Sequence, residues 1–242
     1  ASLMTSYDFL VIGAGISGAS AASELAASGT TLLLEAETMP GYHSTGRSAA
    51  LYTPNFGSPV VRSLNAAGHR FFTQPPEGFS EVPLLTPRAA LTIARPGEEA
   101  RLDAVLAHAS PTHPIMRISS GEAMRLAPVL RREMIGAAAL EPGVMDMDVA
   151  AIHQGFLRRL RQRGGHLRCG APVKAMVRAG RDWRITTGAG DFRAGIIVNA
   201  AGAWGDDVAH LAGARPVGIV AKRRTMIACE SPAASASGEM PL

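Results

Sequence analysis

The stretch LVIGAGISGAS, residues 10–20, places three glycines in the order G-x-G-x-x-G directly after an apolar run, YDFLVI. It is followed by small residues as far as Gly29 and by a second apolar run, TTLLLEA, that ends at Glu35 and Ala36. This is the pattern of a strand, a tight turn, a closely packed helix and a second strand. Each glycine then has its own reason. Gly13 allows the turn, Gly15 lets a backbone approach a pyrophosphate, and Gly18 lets helix and strand pack closely. Ala14, Ile16 and Ser17 complete the turn, where the phosphate charge faces a helix N-terminus. Glu35, about 20 residues beyond the first glycine, is placed to accept hydrogen bonds from a ribose, and its charge disfavours a 2′-phosphate. The motif predicts a dinucleotide site and argues against NADP, without separating NAD from FAD.

Two further stretches bear on that choice. HSTGRSAALY, residues 43–52, begins with hydroxyl side chains that suit a helix cap, so a second helix N-terminus is expected there. Ser44, Thr45, Arg47 and Ser48 would contact phosphates or ring edges, although an ordinary capped surface helix carries the same letters. Far downstream, FRAGIIVNAAGAWGDDVAHLAG predicts an apolar strand at 196–200, a small-residue turn at 201–203 and a helix over 204–211. Three strand-to-turn crossings favour a long cofactor.

The chain has 242 residues, 47% of them hydrophobic, and a formal charge of +4. That is enough for a substantial core in one or two domains. The basic cluster LRRLRQR, residues 157–163, reads as a solvated helix face, and no nucleic-acid-reading motif accompanies it. Cys169 and Cys229 lack metal-binding or framework spacing, so no metal site is expected and a reducing compartment fits. The uncharged run 9–23 lacks preceding Lys or Arg and is interrupted by glycines, which argues against a signal or transmembrane segment.

Elsewhere SPVVRSLNAAGHRFF reads as a helix capped by Ser58 with Pro59 in its first turn. Short strands such as ALTIA and MIGAAALE alternate with GEEARLDAVLAHA and SGEAMRLAP, a mixed α+β texture. DMDVAAIHQGFLRRLRQRGG returns to an amphipathic helix, followed by the strands VKAMVRA and WRITTG, and RPVGIVAKRRTMIACE reads as a further strand. The expected fold class is α/β, a Rossmann-like dinucleotide-binding domain with a mixed α+β second domain. The expected boundaries are 6–80 and 146–214 for the first, 81–145 and 215–242 for the second.

The stretches DFLVIGAGISGAS, PGYHSTGRSAA, PVLRR, HQGFLR, VNAAGAW and KRR, in that order, resemble the FAD-dependent D-amino-acid oxidase family, and within it most closely the bacterial D-arginine dehydrogenase type. The resemblance implies FAD as cofactor, held by Gly13, Ala14, Gly15, Ile16, Ser17, Gly18, Glu35 and Ala36. It extends the site through Ser44, Thr45, Gly46, Arg47, Ser48, Ala49 and Ala50, with Val173 near adenine and Ala201, Gly202 and Trp204 beneath the flavin. His43 stays outside the catalytic set. The implied reaction moves the Cα hydrogen of a D-amino acid to the flavin as hydride, giving an imine that water converts to a 2-oxo acid and ammonia. Oxygen or a respiratory quinone then takes the electrons, so oxidase and dehydrogenase both remain open.

In KRR, Arg224 matches the position that binds the substrate carboxylate. Leu51, Phe56 and Ala90 stand where the arginine-preferring enzyme has a histidine, a tyrosine and a glutamate, so an apolar or small D-amino acid is expected. The alternatives are a related amine or 2-hydroxy-acid oxidoreductase and a flavin-binding, non-catalytic fragment or subunit. Family members continue beyond the point where this sequence stops, so it resembles an amino-terminal portion, with the carboxyl-terminal part expected on a complementing chain. The expected location is the cytoplasm, with peripheral attachment to the inner membrane as the alternative.

Overall fold

A computed structural model describes residues 5–223 together with 225, 227, 240 and 241. The first apolar run becomes β1 (Thr5–Ile12), the small residues after the glycines become α1 (Ile16–Leu25), and the second run becomes β2 (Thr31–Leu34). There follow β3 (Ala50–Tyr52), α2 (Pro59–Thr73), β4 (Leu85–Pro87), β5 (Ala90–Ala94), α3 (Glu99–Ala107), β6 (Met116–Ile118), α4 (Ser120–Leu126), β7 (Ala137–Glu141) and β8 (Met145–Met147). The remaining elements are α5 (Val149–Gln162), β9 (His166–Arg168), β10 (Val173–Ala179), β11 (Asp182–Thr187), β12 (Gly190–Asn199) and α6 (Gly205–Leu211). Among the described residues two compact units form, one from 5–48, 77–82 and 149–223, the other from 49–76 and 83–148.

The first unit is built on a six-stranded sheet in the order β10-β11-β12-β1-β2-β9. β12, β1, β2 and β9 are parallel, while β10, β11 and β12 make an antiparallel meander. Side chains of successive residues leave opposite faces, and both faces of β1 and β2 are covered, which is why these strands read as unbroken apolar runs. Leu10, Ile12, Leu32 and Leu34 join Met176, Ile185, Phe192 and Val208 of α6 on one face. Val11 and Leu33 join Ala19 and Ala22 of α1 and Leu157 and Leu160 of α5 on the other. Leu10, Leu32, Leu33, Leu157 and Leu160 are all less than 2% exposed, and burying a leucine side chain is worth about 1.5–3 kcal/mol.

The arginine cluster of α5 is not one solvated face. Arg159 and Arg163 pair with Glu24 of α1 at 3.3 and 3.2 Å, Arg163 also donates to the Ser23 carbonyl, and Arg158 donates to that of Phe79. Of the four arginines in this helix and its end, Arg161 alone is exposed. The others fasten α5 to its neighbours, through groups whose apolar stems also cover the helix.

The second unit contains two three-stranded sheets, β3-β8-β4 and β5-β7-β6, all of whose pairings are antiparallel. α3 and α4 cover the second of these through Leu102 against Ala94 and Ala139, and through Ala123 against Ile135 and Ala138. Residues 49–76 group with this unit and not with the six-stranded sheet. Asn55 explains why: its amide donates to the His113 carbonyl and to Glu141 and accepts from Ser110 N–H, and Arg62 donates to the His108 carbonyl. α2 starts as its sequence suggests, with the Ser58 hydroxyl accepting from Val61 N–H and Pro59 in the first turn.

The strand expected from Arg215 onward does not form over its described part. Pro216 and the left-handed Gly218 (φ +85°) interrupt it, and the N–H groups of Val217, Gly218 and Ile219 all donate to the Asp206 carboxylate, at 2.8–2.9 Å. These hydrogen bonds, that from Val217 first, hold Asp206 below the usual carboxylate pKa. Residues 215–223 therefore group with the first unit. Among the described residues, no helix is long and apolar enough to cross a membrane.

Candidate cofactor site

A cavity of about 450 Å³ opens at the carboxyl ends of β1, β2 and β12, entirely within the first unit. Ligands of open parallel sheets bind at this edge. The first crossing, from β1 to α1, is a turn with no slack. Gly13 has φ +101°, and a Cβ there would lie 2.5 Å from the Ala200 carbonyl oxygen. A Cβ on Gly18 would lie 1.8 Å from the Gly13 carbonyl oxygen. Gly15 differs: its backbone is extended, with φ −71°, and a Cβ there meets only the Thr45 hydroxyl, at 3.3 Å. α1 has no acidic residue in its first turn, and its N-cap, Gly15, has no side chain with which to cap it. Its N-terminal N–H groups are thus available to acceptors from elsewhere.

The second stretch is where the structure departs from expectation. Residues 40–47 form a succession of turns rather than a helix. Gly41 is buried and left-handed (φ +74°), and a Cβ on Gly46 would lie 2.6 Å from the Gly41 carbonyl oxygen, so the two ends of the turn are in close backbone contact. The Gly46 N–H donates to that carbonyl at 2.7 Å and Arg47 N–H to the His43 carbonyl at 3.2 Å. The Thr45 hydroxyl does cap a helix, but that helix is α1: Oγ1 accepts from Ile16 N–H at 2.9 Å. Arg47 places its guanidinium 5.1 Å from the centre of the Tyr42 ring, a cation–π distance.

At the third crossing Asn199 ties the end of β12 to α6, donating to the Gly205 carbonyl and accepting from Ala201 N–H. Gly202 is left-handed (φ +56°), and Gly202–Trp204 make a turn of 3-10 helix before α6. His43 links the second crossing to the third. Its ring centre is 4.6 Å from that of Trp204, and its Nε2 lies 2.8 Å from Glu37.

These three crossings accord with the comparisons to known proteins. The model of the DAO family, described as FAD dependent oxidoreductase, matches residues 8–241. The chain belongs to this family. Among solved structures it is similar to iminodiacetate oxidase from Chelativorans sp. BNC1 (28% identity, TM-score 0.69, 86% of this chain and 58% of that one). It is similar also to glycine oxidase from Geobacillus kaustophilus (21% identity, TM-score 0.77, 86% and 59%). A third is the dithionite-reduced L-α-glycerophosphate oxidase from Mycoplasma pneumoniae with FAD bound (19% identity, TM-score 0.74, 86% and 57%). The chain thus spans somewhat over half the length of these relatives.

The cofactor of this FAD dependent oxidoreductase family fits the residues at the cavity. Among the described residues its lining includes the carboxylates Glu35, Glu37 and Asp207 and no Lys or Arg, so a diphosphate there would be met among them by α1 N–H groups and by hydroxyls such as those of Ser17, Ser44 and Thr45. Glu35 is buried, its two oxygens accepting from Ala14 N–H at 2.8 Å and Glu37 N–H at 3.0 Å. Each carboxylate oxygen keeps a lone pair for a ribose hydroxyl. Leu34, Ala171, Pro172, Val173, Val208 and Leu211 give the cavity an apolar wall suited to a heterocycle. Beside it, burial and then the Glu35 charge raise the Cys169 thiol pKa above its ordinary value.

Of the residues expected at the site, Gly13, Gly15, Ile16, Ser17, Glu35, Ala36, Ser44, Thr45, Val173, Ala201, Gly202 and Trp204 line this one cavity. Ala14 and Gly18 lie buried behind it within the turn, and Gly46, Arg47 and Ser48 sit on the exposed side of theirs. Ala49, Ala50, Leu51, Phe56 and Ala90 belong to the second unit. Leu51 lies on β3 opposite Asp146, Ala90 on β5 opposite Glu141, and Phe56 is 68% exposed in the loop after β3. Arg224 lies outside the described residues. His43, left outside the catalytic set, lies on the cavity wall, and sequence reasoning did not single out Glu37, Gly41 and Tyr42 beside it, although Gly41 and Tyr42 fall in the PGYHSTGRSAA stretch.

Proposed function

We propose that the chain carries the cofactor-binding part of a flavoenzyme that oxidises the Cα–N bond of an amino acid, with D-amino acids of apolar or small side chain as substrates. The observation that carries this reading is the cavity that gathers the ends of β1, β2 and β12 in a chain of the FAD dependent oxidoreductase family. Bound FAD supplies a two-electron acceptor for the substrate Cα hydrogen, and water hydrolyses the imine so formed to a 2-oxo acid and ammonia. The chain's own contribution is binding and orientation. Backbone N–H groups at α1 and hydroxyls of the 40–47 turn would hold the diphosphate, and Glu35 the ribose.

The local resemblance to D-arginine dehydrogenase supports an amino-acid substrate and gives Arg224 the role of binding its carboxylate through two parallel hydrogen bonds. Leu51, Phe56 and Ala90 offer no anion to a guanidinium side chain, and burying that cation unpaired is costly. This favours D-methionine, D-leucine or D-phenylalanine over D-arginine. A second reading, a secondary amine bearing a carboxymethyl group, is favoured by the 28% identity to iminodiacetate oxidase.

Steady-state kcat/KM for those four D-amino acids, their L-enantiomers, iminodiacetate, glycine and 2-hydroxy acids separates the readings. Apolar D-amino acids are expected to lead, and Arg224→Ala to damage all carboxylate substrates alike. A lead for iminodiacetate supports the second reading; a preference for D-arginine or a 2-hydroxy acid overturns the first. Running the panel with oxygen and then with a quinone identifies the electron acceptor.

A further inference from the structure

We propose that His153, on α5, is a positioning residue for the cofactor: it fixes the peptide that presents the Gly15 N–H to the diphosphate of FAD. The inference rests on reading the cavity as the FAD site.

Ala14 is fully buried, so both of its backbone polar groups need partners within the protein. Side chains supply both. The Ala14 N–H donates to Glu35 Oε2 at 2.8 Å, and the Ala14 carbonyl lies 2.9 Å from His153 Nε2. A carbonyl oxygen only accepts, so Nε2 carries the proton, and the tautomer is fixed by this contact. His153 is itself 4% exposed and is not part of the cavity lining.

The peptide between Ala14 and Gly15 is planar and trans, so its N–H points opposite to its C=O. With the carbonyl drawn toward α5, the Gly15 N–H is turned away from α5, at the residue that lines the cavity and leaves room for a close approach. The same imidazole braces the second turn. A Cβ on Gly41 would lie 2.9 Å from His153 Cε1 and 3.2 Å from Nδ1, so the ring packs directly on that backbone. α5 is in turn fixed by Leu157 and Leu160 in the core and by the pairs of Arg159 and Arg163 with Glu24. Two of the turns lining the cavity are therefore set by one side chain on a helix behind them.

The test uses ligands with and without the diphosphate. Dissociation constants for FAD, ADP and adenosine are measured by calorimetry on wild type, His153→Leu and His153→Gln, with the melting temperature of each ligand-free protein. Leucine keeps the bulk and removes the donor; the glutamine amide nitrogen reaches the place of Nε2. For His153→Leu the Kd of FAD and of ADP is expected to rise about tenfold while adenosine stays within about twofold, and glutamine should restore both. An unchanged Kd for FAD, or an adenosine loss equal to that for ADP, overturns the proposal. If the leucine variant does not fold, His153→Asn replaces it, because its shorter amide falls short of Ala14. Asparagine binding ADP as tightly as glutamine does is then the overturning result. Wild type failing to bind FAD strikes the cofactor-site reading itself, a failure distinct from any among the variants.

Discussion

The turns 13–18 and 40–47 line the same cavity and use the same kinds of residue, glycines with hydroxyl side chains, yet they differ in how much of their closure is set by glycine packing on the adjoining strands. The first is closed by contacts among its own residues and the strands on either side: Gly18 against Gly13, Gly13 against Ala200 and Gly13 N–H to the Leu34 carbonyl at 2.8 Å. The second closes on itself through Gly46 N–H to the Gly41 carbonyl, at 2.7 Å, and is braced besides by distant parts of the chain. Its Gly41 packs on His153, and its Thr45 reaches back to Ile16, 29 residues earlier. The close glycine contacts of the first turn leave a sequence signature, whereas the remote side chains that brace the turns, His153 and Thr45, leave none.

The comparison breaks if substitutions in the first turn are tolerated. Gly18→Ala is expected to have the largest effect, because the added methyl would lie 1.8 Å from a backbone oxygen that has nowhere to go. Urea unfolding should show a loss of more than about 3 kcal/mol, beyond the ordinary range for overpacking. Gly46→Ala is the control in the second turn. Its methyl would lie 2.6 Å from the Gly41 oxygen, a smaller overlap than at Gly18, and Gly46 itself is exposed, so a smaller cost, about 1 kcal/mol, is expected. Equal losses for the two variants would mean that the first turn is no more rigid than the second.

Within the first turn the glycines should separate by role. Gly15 has extended backbone, which any residue adopts, and its added Cβ meets only the far end of Thr45. Gly15→Val is therefore expected to leave the urea midpoint nearly unchanged while abolishing FAD retention, read as the flavin absorbance that survives gel filtration. A variant that retains flavin would remove Gly15 from the phosphate-binding role; one that unfolds would make it a packing glycine like Gly18.

The same distinction explains what was legible in the sequence. The order of β1, α1 and β2, the helix cap at Ser58, the strands β5, β7, β10 and β11 and the third crossing all follow from periodicity and turn residues close together in the chain. The helix expected at 43–52 is absent because its cap, Thr45, is spent on another helix, and no local pattern reveals that. The strand expected from Arg215 is absent because one carboxylate, Asp206, takes the N–H groups a neighbouring strand would have used. The placement of His43 against Trp204 and of His153 against Ala14 joins residues more than 130 positions apart, which lies beyond what spacing rules convey.

The smallest expected effect tests the link between the two turns. Thr45→Val keeps the shape of the side chain and deletes the oxygen that accepts from Ile16 N–H at 2.9 Å. In the ligand-free protein this leaves a donor of the first turn of α1 without its partner, and loss of such a cap costs typically about 1 kcal/mol, within a range of roughly 0.5–2. Thr45→Ser keeps the acceptor and should stay close to wild type, which separates the hydrogen bond from the methyl. The difference between threonine and valine should shrink with saturating FAD, because a diphosphate at the helix N-terminus offers α1 other acceptors. Urea midpoints of the three proteins with and without FAD measure both quantities. If valine costs nothing without the cofactor, the second turn does not support the first and the two are merely neighbours. If the cost is the same with and without FAD, the diphosphate does not substitute for Thr45 at this helix end.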